Sequence, residues 1–213
     1  MTTSVPDVNT VNMSTRRQIL DEARELYLEA GLAGFSMRGV AERVGVTATA
    51  LYRHFASKDA LLASLLGEAF ATFGSYLGRA LGGQTPLERF RLTGKGYVDF
   101  ALDHPRDYAL MFLTNCKDLG YERISEELAQ RSRGTFEFVV DRAKECLDAH
   151  VFAPRDPREI GLHVWSTLHG LVSLWLLGQL HRSMDRSGFE RQVELALDLI
   201  ELSLTRNEPP RRR

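Results

Sequence analysis

Apolar residues recur at three- and four-residue steps along most of the chain, and no stretch of any length alternates with the period of two that a half-buried strand shows. Between Thr15 and Ala30, the residues Ile19, Leu20, Ala23, Leu26, Tyr27 and Ala30 share one helical face, and Gly31 ends the helix. Val40, Ala41 and Val44 mark a short helix with Ser36 placed as its N-cap. Gly45 can take the left-handed angle of a tight turn, and Thr47 caps a second short helix that turns Ala50, Leu51 and Phe55 inward. A longer helix from Lys58 to about Leu81 follows, broken by Gly82-Gly83 and Pro86.

The remaining pattern predicts helices over Pro86 to Asp103, over a short stretch with Tyr108, Leu110, Met111 and Phe112, and from about Glu122 to Ala149. His104-Pro105 separates the first two, because a proline disfavours helical geometry in the residue before it. Asn115 to Tyr121 reads as a loop, and the two prolines between Ala153 and Pro157 precede a last pair, Arg158 to about His181 and Gly188 to about Thr205. The fold class is therefore all-α, in two domains with no flexible linker. Residues 15–57 form a three-helix helix-turn-helix domain and residues 58–206 a larger helical domain. Residues 1–14 form a polar tail without periodicity, and 207–213 a basic one.

The second short helix carries the candidate chemistry. With Leu51 and Phe55 inward, Thr47, Ala48, Thr49, Tyr52, Arg53 and His54 are left outward, and no core calls for such a set. Hydroxyls, an imidazole and an arginine suit phosphate oxygens, and arginine can meet a guanine edge with two hydrogen bonds. Lys58 follows Ser57 at the start of the next helix, where its charge and the free backbone N–H groups both favour a phosphate.

These residues carry a family resemblance. Gly34-Phe35-Ser36-Met37-Arg38, Val40-Ala41, Gly45-Val46, Leu51-Tyr52, His54-Phe55, Lys58 and Leu61-Leu62, all in one register, resemble the DNA-binding domain of the TetR/AcrR family of transcriptional regulators. The close resemblance runs from about Thr15 to Leu66. The expected DNA contacts are Ser36, Arg38, Thr47, Ala48, Thr49, Tyr52, Arg53, His54 and Lys58; of these Thr47, Tyr52, His54 and Lys58 are expected mainly to hold phosphates, and Arg38, Ala48, Thr49 and Arg53 are the candidates for reading base edges. The family's N-terminal tails can touch the minor groove, but here no arginine precedes Arg16, so the tail is assigned no such role.

Composition changes this picture little. The chain of 213 residues has a formal net charge of −1, which by itself does not mark a nucleic-acid binder. The local distribution matters more: from Ser36 to Lys58, Arg38, Arg43, Arg53 and Lys58 face only Glu42, so a basic surface is expected on a neutral protein. Cys116 and Cys146 lie far apart without CxxC spacing, and the N-terminus has no basic start followed by an apolar run, so a reduced cytoplasmic setting is expected. Ile160 to Leu180 contains no charged residue and has the length of a membrane span. His163, His169, Gly170 and Gln179 interrupt it and favour a helix buried in a dimer core, so no membrane partner is expected.

By resemblance, an effector cavity lies among the larger domain's helices, with Phe70, Phe73, Tyr97, Phe100, Tyr108, Met111, Phe112, Phe136, Trp165 and His169 as candidate lining residues. Such a lining suits a small apolar or aromatic molecule. At Trp165, His169 and Gly170, which resemble the W-x-x-x-H-G pattern of one group of these regulators, two readings stay open: a pocket wall, or a buried histidine with Gly170 letting backbones approach. The apolar stripes of the last two helices point to a homodimer through Leu168, Val172, Trp175, Phe189, Val193, Leu197 and Ile200.

No HExxH, GxSxG or glycine-rich phosphate loop is present, so no catalytic residue, metal site or cofactor is expected. The expected function is a ligand-responsive regulator, most naturally a repressor, bound as a homodimer to a near-palindromic site on double-stranded DNA and released by a small molecule. An activator or ligand-independent regulator of the same fold, or a helical module that binds protein, are the alternatives.

Overall fold

The structure, a computed structural model, describes residues 8–113 and 126–205. In chain order it contains α1 (Val8–Gly34), α2 (Met37–Val44), α3 (Ala48–His54), α4 (Lys58–Gly78), a 3-10 turn (Arg79–Gly82), α5 (Pro86–Asp103), α6 (Pro105–Tyr108), a π-helical turn (Ala109–Leu113), α7 (Glu126–Asp148), α8 (Pro157–Leu176) and α9 (Arg186–Thr205). No strand occurs among the described residues, as the periodicity predicts. Helix α1 starts at Val8, ahead of the Thr15 predicted from sequence, and it breaks at Gly31, whose φ of 62° is the left-handed value glycine tolerates. The loop expected at 115–121 and both chain ends, 1–7 and 206–213, lie outside the described residues.

The chain divides into two compact units, and the cut differs from a simple boundary at 57/58. One unit takes residues 8–69 with 106–113 and 126–129; the other takes 70–105 with 130–205. In the first, α1 packs on α2, α2 on α3, and the π-helical turn on α1. Ile19, Leu20, Ala23 and Tyr27 of α1 are buried with Phe35, Val40, Leu51, Phe55 and Leu61, and the Tyr27 and Phe35 rings meet edge to face at 5.8 Å. Two ion pairs fasten residues 106–113 to α1: Arg24 Nε to Asp107 Oδ1 at 2.7 Å and Arg106 Nε to Glu25 Oε1 at 3.0 Å.

In the second unit α5 packs against α8 and α8 against α9. Helix α5 starts at Pro86 behind Thr85, whose hydroxyl accepts from the Glu88 N–H at 3.1 Å, while Glu88 accepts from the Gln84 N–H at 2.8 Å. Arg91 of α5 reaches three carboxylates of α9, Glu194 at 2.6 Å and Asp198 and Glu201 each at 2.8 Å.

This packing corrects the sequence assignment of the dimer face. Leu168, Val172, Phe189, Val193, Leu197 and Ile200 are buried within a single chain, and Trp175 stacks on Phe189 with ring centres 4.8 Å apart. The cause is α5: at Gly94 an added Cβ would lie 2.8 Å from Leu197 Cδ2 and 3.2 Å from Leu168 Cδ1, so both leucines rest on the glycine. The large apolar side chains of the last two helices that stay exposed are Leu162, Trp165, Leu174 and Leu177 on and just after α8, and Leu195, Leu199 and Leu202 on α9. Within the single chain a Cβ added at Gly170 would meet open space, so no helix of the same chain approaches closely there.

Gly96 makes the tightest backbone approach in this unit. A Cβ there would fall 2.6 Å from the carbonyl oxygen of Tyr76 and 3.1 Å from its carbon, so α4 and α5 could not keep their spacing. Gly96→Ala is therefore expected to cost about 2–3 kcal/mol and to lower the melting temperature by about 5–10 °C. Gly74→Ala, where a Cβ meets open space on a helical position, should hold or slightly raise it. Differential scanning calorimetry of both variants checks the contrast, and equal melting temperatures would contradict it.

Candidate nucleic-acid interface

The two short helices are built by local chemistry. Ser36 is extended at φ −144° and its Oγ accepts from the Gly39 N–H at 3.1 Å, which starts α2. Gly45, at φ 77°, ends it, donating its N–H to the Ala41 and Glu42 carbonyls. Thr47 then caps α3, its Oγ1 accepting from the Ala50 N–H at 3.1 Å. Each capping hydroxyl still has its own O–H to donate outward.

Helix α3 buries Leu51 and is closed by buried Phe55, which leaves the opposite face to solvent. Thr47, Ala48, Thr49, Tyr52 and Arg53 are exposed and His54 is half-buried. Tyr52 keeps 52% of its surface exposed, far more than packing alone would leave a ring of that size. Of the expected α3 contacts, all but half-buried His54 are thus exposed.

The basic surface is thinner than the sequence suggests. Arg43 is spent on Glu29 of α1, with Nη1 3.2 Å from Oε1 and a second bond between Nη2 and Oε2. Hydrogen bonding from Arg43 holds the Glu29 carboxyl below its ordinary value. Lys58 donates from Nζ to the Leu32 carbonyl at 2.8 Å and lies 5.6 Å from the centre of the Phe35 ring, so it closes the α1 end as well as standing at the start of α4. Arg38 pairs with Glu42 at 3.0 Å, but both side chains are largely exposed, and such a pair gives way cheaply to a phosphate or base. Arg53 has no carboxylate partner among the described residues. Arg16, which sequence reasoning passed over, places its guanidinium carbon 4.4 Å above the Phe55 ring. No spacing rule could have found that contact, because the two residues meet only through the fold.

The candidate effector residues divide between the units. Phe70, Phe73, Tyr97, Phe100, Phe136, Trp165 and His169 belong to the second. There Phe73 meets Phe100 at 4.9 Å and Tyr97 at 5.7 Å, and Trp165 meets His169 at 6.0 Å and Phe136 at 6.2 Å. Tyr97 and His169 share a hydrogen bond of 3.0 Å between Oη and Nδ1, with His169 Nε2 3.4 Å from Ser173 Oγ. Burial pushes the imidazole below its usual value. A neutral ring accepts at one nitrogen and donates at the other, so Tyr97 donating to Nδ1 and Nε2–H donating to Ser173 is a self-consistent arrangement. Tyr108, Met111 and Phe112 belong instead to the first unit, where the Tyr108 and Phe112 rings lie 5.1 Å apart.

With this geometry in view, residues 19–65 match the bacterial regulatory proteins of the tetR family. Residues 90–198, half of the chain, match the tetracyclin repressor-like C-terminal domain. The chain belongs to the TetR family. It is similar to the HTH-type transcriptional repressor KstR of Mycobacterium tuberculosis, at 26% identity over 87% of this chain and 80% of that one. The KstR of Mycolicibacterium smegmatis is 40% identical over a shorter stretch, 38% of this chain and 40% of that protein's length. The TetR-family regulator PfmR of Thermus thermophilus shares the fold, with a TM-score of 0.69 at 22% identity over 98% of this chain and 100% of that one. TetR-family proteins are transcriptional regulators that bind DNA and act as dimers; this chain is one of them, and its KstR and KstR2 relatives are named repressors.

Proposed function

We propose that the protein is a cytoplasmic repressor that binds a near-palindromic operator as a homodimer and is released by a small apolar or aromatic molecule. The observation that carries the DNA reading is the outward face of α3, where Thr47, Ala48, Thr49, Tyr52 and Arg53 stay exposed while Leu51 and Phe55 anchor the helix from behind. Two copies related by a two-fold axis present two such helices to major grooves about 34 Å apart. Thr47, Ser36, Tyr52 and His54 hold phosphates. Arg53 and Arg38 read base edges with Thr49, and Ala48 meets a thymine methyl.

The effector reading is supported by the aromatic series Phe100, Phe73, Tyr97, His169, Trp165 and Phe136, which carries a polar pair at its middle. Trp165, His169 and Gly170 keep the W-x-x-x-H-G pattern of one group of these regulators. A molecule with one hydrogen-bonding group on an apolar body suits that series.

Selection of binding sequences from a random duplex pool tests the DNA reading. Enrichment of one inverted repeat is the expected outcome. For Arg53→Ala, the preference should relax at defined positions, with a loss of about 5- to 100-fold on the parent's best site. Equal losses on every sequence would remove Arg53 from base reading, and no enrichment at low salt would overturn the operator itself.

A further inference from the structure

We propose that Arg16 is a DNA-phosphate contact held ready by Phe55, a role that rests on the operator reading above. Arg16 lies on α1, outside the helix-turn-helix sequence pattern, yet its guanidinium sits over the ring of the residue that closes α3. Phe55 is almost wholly buried, so the ring is a fixed platform. A guanidinium held over a ring by cation–π attraction does not use its N–H donors on that ring, which leaves them for a phosphate acceptor. The other arginines of α1 and α2 have carboxylate partners: Arg17 has Asp21 at 3.4 Å, Arg24 has Asp107, Arg38 has Glu42 and Arg43 has Glu29. Arg16 is exposed and has no carboxylate partner among the described residues.

Position decides what it meets. Phe55 follows His54 directly, so Arg16 stands at the C-terminal end of α3. With α3 in the major groove, the wall at its end is sugar and phosphate, where a planar donor fork suits a phosphate oxygen and reads no base. Arg53 on α3 itself and Arg16 beyond its end then divide the work between sequence and backbone.

The experiment measures operator affinity against salt for the parent, Arg16→Ala and Arg17→Ala, on the selected inverted repeat and on two of its weaker variants. Arg16→Ala is expected to lose about 5- to 10-fold on all three duplexes alike and to reduce the slope of log affinity against log salt by about one for each recognition helix engaged. Arg17→Ala should change neither, and matching circular dichroism melts exclude a folding cause. Parent-like affinity and slope for Arg16→Ala overturn the proposal while the operator reading stands. A loss confined to one sequence also overturns it, since a phosphate contact does not discriminate. If the parent itself binds no duplex, the operator reading and this proposal fall together.

Discussion

A Leu195→Glu, Leu199→Glu variant is expected to sediment as a single chain and to lose about a hundredfold or more in operator affinity, while its far-ultraviolet circular dichroism stays that of the parent. Both leucines lie on the uncovered face of α9, where Leu199 keeps 56% of its surface exposed, so a glutamate at either position reaches water in the isolated chain. They are destabilising only where a second copy covers them, because a buried carboxylate without a partner is costly. Leu162, Ser166, Gly170, Leu174 and Leu177 run at four- and three-residue steps along the neighbouring α8 and just past its end, and a Cβ added at Gly170 would meet open space. Two small residues, Ser166 and Gly170, between the leucines of this stripe suit the close crossing of a symmetry mate. Operator affinity falls because each half-site then binds alone, without the effective concentration the dimer supplies. Leu197→Glu is the contrast: it buries a charge against Gly94 and Leu168 and should lose the fold, not just the dimer. A Leu195→Glu, Leu199→Glu variant that remains a dimer in sedimentation equilibrium would move the interface elsewhere.

That contrast also shows where the sequence stops informing. Helix α9 carries two apolar stripes: Phe189, Val193, Leu197, Ile200 and Leu204 form one, and Leu195, Leu199 and Leu202 the other. Both have helical spacing. Periodicity reveals that α9 has two apolar sides but not which side α5 takes, and the larger stripe goes to the chain's own core. The short elements were legible because their signals are local: Ser36, Gly45 and Thr47 act on backbone groups within three or four residues, and each behaves as its position predicts. Charge was less legible for the opposite reason. Arg43 lies 14 residues from Glu29, and Lys58 lies 26 from the Leu32 carbonyl that accepts its hydrogen bond. A local tally counts both cations in a basic surface, while the folded unit spends most of one and part of the other on itself. The stack of Arg16 on Phe55 is missed by the same logic.

Asp107→Ala is expected to destabilise the unit that carries the helix-turn-helix by about 3 kcal/mol. Arg24 and Asp107 meet at 2.7 Å with side chains only 12% and 14% exposed, so little water screens the pair. Their approach is off-axis for a hydrogen bond, so the attraction is mainly coulombic. Removing the carboxylate leaves the guanidinium largely out of water, with the half-exposed Asp21 at 3.0 Å as partial compensation. An Arg24→Met, Asp107→Leu double variant should recover most of the loss, because two apolar side chains of similar reach carry no charge to desolvate. Arg106→Ala tests the neighbouring pair with Glu25, where the arginine is 69% exposed, and should cost less than about 1 kcal/mol. Urea unfolding of the parent and these variants, with Arg24→Met and Asp107→Leu alone added to close a double-mutant cycle, separates these outcomes. The choice of pair matters for function, since α1 is the surface on which α2 rests and residues 106–113 are fastened to it within the same unit. Asp107→Ala should therefore bind the operator normally well below its lowered melting temperature and fail as that unit melts. Parent-like stability in Asp107→Ala would leave the π-helical turn held by its apolar contacts, with the ion pair contributing nothing measurable.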